Sequence, residues 1–133
     1  MFVTVALRAN AHEDVMHLFG AMANALAASN GDDFMQAFDR NMPDYDRIHT
    51  EVIQLLQQGD VTSSVQPVRD EGDNKHRAVD LDWYLEVHNP DPAAPVINRR
   101  DIVHCRLERL NKQWRVVAMD PISFFAPQNL NPQ

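Results

Sequence analysis

Asp101 and Asp120 are the residues whose type and spacing best suit acid–base chemistry in this chain. Each sits at the end of an apolar/polar alternation, and the register that keeps the apolar face continuous sets both on the inward side. There they are diagonal neighbours, within roughly 7–8 Å of each other. Two carboxyls that close, beside the ring of Trp83, resist ionising together, so one can serve as acid and the other as base. Arg99 shares the face and could orient an anionic ligand. The plainer reading makes these three a solvated charge cluster at a pocket rim. Tyr45 and His49 are one helical turn apart and can address one spot, where they could polarise a carbonyl; the plainer reading has Tyr45 in the core and His49 in water. Trp83 opposite Ser63 sets a large ring against a small residue, which either fills the space or leaves room for a flat ligand. With Phe38, the expected ligand-binding set is Trp83, Tyr45, His49, Ser63, Arg99 and Phe38.

Other chemistry is excluded or disfavoured by the same inspection. The net charge of −7, from 19 acidic and 12 basic residues, argues against nucleic acid and against an anionic membrane surface. Cys105 is the single cysteine, so no internal disulfide forms. No Cys/His spacing suits zinc, and His12 and His17 do not share a helical face, so neither a metal nor a cofactor is expected. There is no Gly-rich phosphate loop, no G-x-S-x-G and no H-E-x-x-H. Apolar runs fall short of the ~18 residues a membrane span needs.

The elements that must position these residues follow from periodicity. Val15, Leu18, Phe19, Met22 and Leu26 have helical spacing over 12–29, with Asn10 and Glu13 as a capping box and Asn30-Gly31 as the stop. Asp32 caps a short second helix carrying Phe34 and Phe38. Pro43 opens a third, striped by Tyr45, Ile48, Val52, Leu55 and Leu56 and closed at Gly59. Four strands come next. Val61 to Arg69 is an edge strand by its Pro67. His76 to His88 alternates without a break, Val79, Leu81, Trp83, Leu85 and Val87 on one face. Val96 to Leu110 and the run begun by Trp114 complete the set, joined at Asn111-Lys112. The expected registers put Val65 opposite Leu81, Trp83 opposite Asp101, Leu107 opposite Val116, and Val103 opposite Asp120. The fold class is α+β: three N-terminal helices on one face of a curved four-stranded antiparallel meander. The length fits one domain over 12–127. Residues 1–11 are a lead-in, or the remnant of an export signal whose start lies upstream, and 128–133 are a frayed tail. The compartment is cytoplasmic by default, with export as the alternative.

Three stretches, LAASNGDDFMQAFD, VDLDWYLEV and VHCRLERLNKQWRVVAMDPISFFAP, resemble the nuclear transport factor two-like superfamily, the cystatin-like cone fold of SnoaL-like cyclases and ketosteroid-isomerase-like enzymes. The resemblance covers about His12 to Pro127 and implies a concave sheet around a pocket opening near the helices. Isomerase members use a tyrosine from the helical layer with carboxylates in an apolar cavity. Here the first helix has no tyrosine, and Phe19 stands about where one is wanted.

The outward sheet face carries Tyr84, Ile102, His104, Val117 and Met119 among paired charges. That mixture suits a two-fold contact, so a homodimer through this face is expected. Three functions follow in order. The first is a small-molecule-binding protein holding an apolar or amphipathic ligand between helices and sheet. The second is a cofactor-free isomerase, dehydratase or cyclase with Asp101 or Asp120 as base. The third is a homodimeric interaction module, favoured if Trp83, Phe34 and Phe38 close the core.

Overall fold

The computed structural model describes residues 3–128. Helices α1 (Val3–Ala27), α2 (Gly31–Met35) and α3 (Tyr45–Gln57) precede strands β1 (Asp60–Gly72), β2 (His76–His88), β3 (Ile97–Leu110) and β4 (Gln113–Asp120). A 3-10 turn, Ile122–Phe125, closes the chain. Every strand pairs antiparallel with the next, in the order β1-β2-β3-β4. This is the expected α+β meander under three helices. Beyond Gln128 the expected tail lies outside the described residues. Gln128 itself exchanges two hydrogen bonds with Gln58, at 2.7 and 2.8 Å. Among the described residues no helix is long and apolar enough to cross a membrane.

Helix α1 buries Val15, Phe19, Met22 and Leu26, the stripe its spacing requires. It begins at Val3, so Asn10 lies inside it rather than at its start. Asn30, not Asp32, caps α2: its Oδ1 accepts the Asp33 N–H at 3.0 Å, while Ser29 takes the left-handed turn at φ 56°. Ile48, Val52 and Leu55 anchor α3.

Two bulges decide which side chains face inward. The β1–β2 connection is longer than expected and by itself would invert β1. Gly72 makes it possible, with φ +139° and no room for a Cβ beside the His76 carbonyl. A bulge between Pro67 and Arg69 then absorbs one residue. Val68 is thrown out to 61% exposure, and Val65 faces Trp83 while Ser63 faces Leu85. Parity is restored two residues from the expected register.

The second bulge has the opposite outcome. Leu107 pairs with Val116 and Glu108 with Arg115, as the Asn111-Lys112 turn dictates. Beyond them the ladder slips by one residue at Val117, so Cys105 meets Met119 and His104 meets Asp120. Met119 is therefore in the core and Asp120 on the outer side. The β2–β3 register, Trp83 opposite Asp101 and Leu81 opposite Val103, is as expected.

The segment after α2 closes one sheet edge. Val116 donates to the Ala37 carbonyl at 2.8 Å and accepts from the Asp39 N–H at 2.9 Å. Phe38 thereby forms a short parallel bridge to β4.

Candidate functional site

The space between helices and sheet is filled by the chain's own rings. Trp83 has no exposed surface. Phe19 meets it edge-on at 6.4 Å and Phe125 at 5.0 Å between ring centres. Phe125 continues to Phe34 at 5.0 Å, and Phe34 to Phe38 at 5.4 Å. These are the separations at which aromatic edges attract faces. The indole N–H donates to Ser63 Oγ at 2.8 Å, so the buried ring is satisfied without a ligand. Among the described residues no polar or charged residue is buried as a whole. Cys105 is buried between strands, and desolvation pushes its thiol well above the usual range, which makes it inert packing.

Three expected site residues are thereby reassigned. Arg99 is held by the chain's own closing segment: its guanidinium donates to the Phe124 carbonyl at 2.6 Å and reaches Gln128 Oε1 at 3.4 Å. It clamps the closing turn that seats Phe125 on Trp83. Asp101 is exposed, and its carboxylate accepts the Ile102 N–H at 2.8 Å. This strand has no β4 partner before His104, so Asp101 covers backbone that would otherwise be an open edge. Asp120 is exposed on the other side of the sheet, so the two carboxylates do not converge. The cause is the bulge at Val117, an odd slip that no alternation pattern records.

Phe38, Tyr45 and His49 do come together, at the rim rather than inside. They line an open groove of about 850 Å³. Leu18, Ala21 and Met22 of α1 form one wall; Asp32, Asp33 and Met35 of α2 form another. Arg40 and the tip of the β3–β4 hairpin, including Leu110 and Arg115, close it. Tyr45 and His49 lie 6.2 Å apart between ring centres, and His49 Nε2 is 3.2 Å from Asp32 Oδ1. Arg40, Arg115 and Leu18 escaped the sequence reading because only the parallel bridge at Phe38 brings the loop after α2 to β4. The nearest signal was Leu18, apolar yet off the centre of its helix's stripe.

A second polar cluster ties α1 to the β1–β2 hairpin. The almost fully buried Asp70 carboxylate accepts from Arg77 Nε at 2.7 Å on one oxygen and pairs with His12 Nδ1 on the other. Arg77 also donates to the Asp73 carbonyl at 2.9 Å. With 58 residues between His12 and Asp70, no local pattern announces it.

On the outer sheet face the expected dimer residues are largely engaged with one another. His104 pairs with Asp80 at 2.7 Å, Arg100 forks onto Asp82 at 3.0 and 2.7 Å, and the Tyr84 hydroxyl donates to Glu86. The hydrogen bond to Glu86, with partial desolvation, raises the Tyr84 phenol above its ordinary value. Ile102 remains 37% exposed near half-exposed Tyr84, Val117 lies further along the sheet in the bulge, and Met119 is lost to the core.

No protein-family model matches the chain, and no curated protein matches it in sequence. Solved structures do match in shape. A conserved protein from Planctomyces limnophilus superposes with a TM-score of 0.76 at 8% identity, covering 84% of this chain and 94% of that one. A nuclear transport factor 2-like superfamily protein from Salmonella enterica serovar Typhimurium gives 0.68 at 8% identity, over 92% and 95% of the two chains. A type 2 hexachlorocyclohexane dehydrochlorinase gives 0.64 at 7% identity, over 81% of each. The chain has the nuclear transport factor 2-like cone fold, as its three quoted stretches imply. That fold houses an enzyme in one of these relatives, and at such identities the likeness is one of architecture.

Proposed function

We propose that the chain is a non-catalytic small-molecule-binding protein whose ligand sits in the rim groove, not within the cone. The observation that carries this reading is the groove itself: about 850 Å³ of open space where Tyr45 and His49 meet Leu18 and Ala21 of α1 and the polar side chains of α2 and the hairpin. Its volume lies within the about 300–1,000 Å³ of small-molecule sites, and it offers polar and apolar groups side by side. An interior filled by aromatic side chains, with no polar residue buried as a whole among those described, speaks against acid–base catalysis inside the cone. A thermal-shift screen of steroids, polyketides and small organic acids is the test, with hits titrated against the Ala21→Trp chain. Ala21 is exposed on the groove wall, so an indole there fills the space without entering the core. Hits that bind this variant as well as the parent chain overturn the reading.

The closed core also supports a second reading, a homodimeric interaction module using the outer sheet face. Ile102 and Tyr84 supply a modest apolar centre, and the Asp80–His104 and Asp82–Arg100 pairs flank it with charges of both signs. A two-fold axis through such a patch sets each sign against its opposite. Light scattering at micromolar concentration is expected to give twice the chain mass, and the Ile102→Glu chain a monomer. A monomeric parent chain ends this reading.

A further inference from the structure

The edges of the sheet are guarded unevenly. At β4 the segment after α2 bridges Val116 through Phe38. On β3, before β4 begins, Asp101 covers the Ile102 N–H and Arg99 holds the closing turn alongside. The second half of β1 carries Pro67, the bulge at Val68 and three consecutive charges, Arg69, Asp70 and Glu71. These are the devices by which sheets avoid further pairing. The first half, residues 61–66, has no charge, proline or bulge, in a chain of net charge −7.

The backbone of this stretch is free on one side. The Arg109 N–H donates to the Lys75 carbonyl at 2.9 Å, which turns the odd residues of β2 toward β3 and the even ones toward β1. Thr62, Ser64 and Gln66, opposite Glu86, Tyr84 and Asp82, therefore bond to β2. The N–H and C=O groups of Val61, Ser63 and Val65 point out of the sheet edge, and no other element bonds to them among the described residues. Residues 61–65, V-T-S-S-V, also read nearly alike in both directions about Ser63.

We propose that this edge pairs antiparallel with the same edge of a second copy of the chain, about a two-fold axis through Ser63. Val61 then meets the partner's Val65 on the inner side of the sheet, and Thr62 meets the partner's Ser64 on the outer side, both favourable cross-strand pairs. The free groups of Val61, Ser63 and Val65 bond to those of the other copy. Asp60 falls opposite the partner's Gln66, so no like charges meet, and Pro67 ends the ladder. Another protein's strand could use the same backbone groups; the near-palindrome selects a second copy. This surface is separate from the rim groove and from the outer sheet face, and the proposal depends on neither reading above. A contact of so few residues is small beside that of a permanent dimer, and a dissociation constant of roughly 10–100 μM is expected.

Sedimentation velocity from about 5 to about 500 μM tests this in the Ile102→Glu chain, where no outer-face contact contributes. Its mass is expected to rise from one chain to two across that range. Adding Thr62→Lys with Ser64→Lys sets lysine against lysine across the axis and is expected to hold the chain monomeric throughout. Adding Thr62→Lys with Ser64→Glu sets lysine against glutamate and is expected to keep the dimer at least as strong as without them. Both positions are exposed, and circular dichroism confirms that the variants are folded. Amide exchange at Val61, Ser63 and Val65 is expected to slow several-fold as the dimer forms. An Ile102→Glu chain that stays monomeric at about 500 μM overturns the proposal, even where the parent chain is a dimer. So does a lysine–lysine chain that dimerises as strongly as Ile102→Glu alone, or a lysine–glutamate chain that stays monomeric.

Discussion

Strand β2 presents two surfaces built from one stretch of alternating residues. Inward, Val79, Leu81, Trp83, Leu85 and Val87 are buried, with the Trp83 indole N–H bonded to Ser63 Oγ. Outward, Asp80, Asp82, Tyr84 and Glu86 stay partly wet, each bonded to a partner on its own strand or the next. The inner surface has used its side chains to fill the cone, leaving none to hold a ligand. The outer surface and the rim keep polar groups in water, where they can still exchange partners. Stability is thus carried by the inner face, and the binding proposed above falls to the groove where helices, loop and hairpin meet.

The largest effect that would break this division is expected at Trp83. Replacing it by Ala removes the ring that Phe19 and Phe125 enclose and leaves Ser63 without its donor. A loss of about 3–5 kcal/mol in unfolding free energy is expected, from burial and cavity together. Urea unfolding of Trp83→Ala and Tyr84→Ala reads the contrast between neighbouring residues on opposite faces. Comparable losses would mean that the faces are not energetically distinct.

Asp70 comes next, because it is polar yet lies under α1. Its side chain is 6% exposed and that of its partner Arg77 12%. Asp70→Ala strands the Arg77 charge and releases His12, at a cost of about 1–3 kcal/mol once the half-exposed His12 end is discounted. The companion Asp82→Ala, whose Arg100 partner is well exposed, is expected to cost far less. Equal midpoints for the two variants would make the His12–Asp70–Arg77 tie ornamental.

The alternation of β2 made the two faces legible in the sequence, and with them the helical layer and the β2–β3 register. What escaped was each feature that depends on a one-residue slip. A bulge costs little backbone energy yet changes facing, so Met119 and Asp120 exchanged the sides their alternation assigned. The slip at Val68 did no such damage, since it offset an odd-length error in the turn before it. Candidate site residues fared according to their dependence on distant chain. Tyr45 and His49, one helical turn apart, were placed together by local geometry alone. Arg99 lay on the inward face as read, but its partner is a carbonyl 25 residues away on a turn whose docking no local pattern specifies.

The inner face also predicts an alkaline weakness. Burial raises the Cys105 thiol well above its ordinary 9.0, so the folded state keeps a proton that the unfolded chain releases. That stability is fully present below pH 9 and is lost as pH rises, by about 1 kcal/mol between pH 9 and 10. The Cys105→Ala chain is expected to lose this slope. An identical alkaline slope with and without the thiol would point to another group.

The smallest effect belongs to the outer face and lies at the other end of the pH scale. Arg100's hydrogen bonds hold the Asp82 carboxyl below its ordinary value, and the Tyr84 hydroxyl with His88 does the same for Glu86. A carboxylate with a lowered folded-state pKa binds its proton less readily than the unfolded chain does, so stability rises with pH through that range. Its contribution is present above the ordinary values of 3.8 and 4.5 and disappears as pH falls through the folded-state values. Because these pairs are exposed, salt screens them, and raising ionic strength should flatten the slope. Thermal melts from pH 5 to pH 2 in low and high salt read both features, with Asp82→Asn expected to remove part of the low-salt slope. A slope unaffected by salt and unchanged in the Asp82→Asn chain would mean that these exposed pairs are not its source.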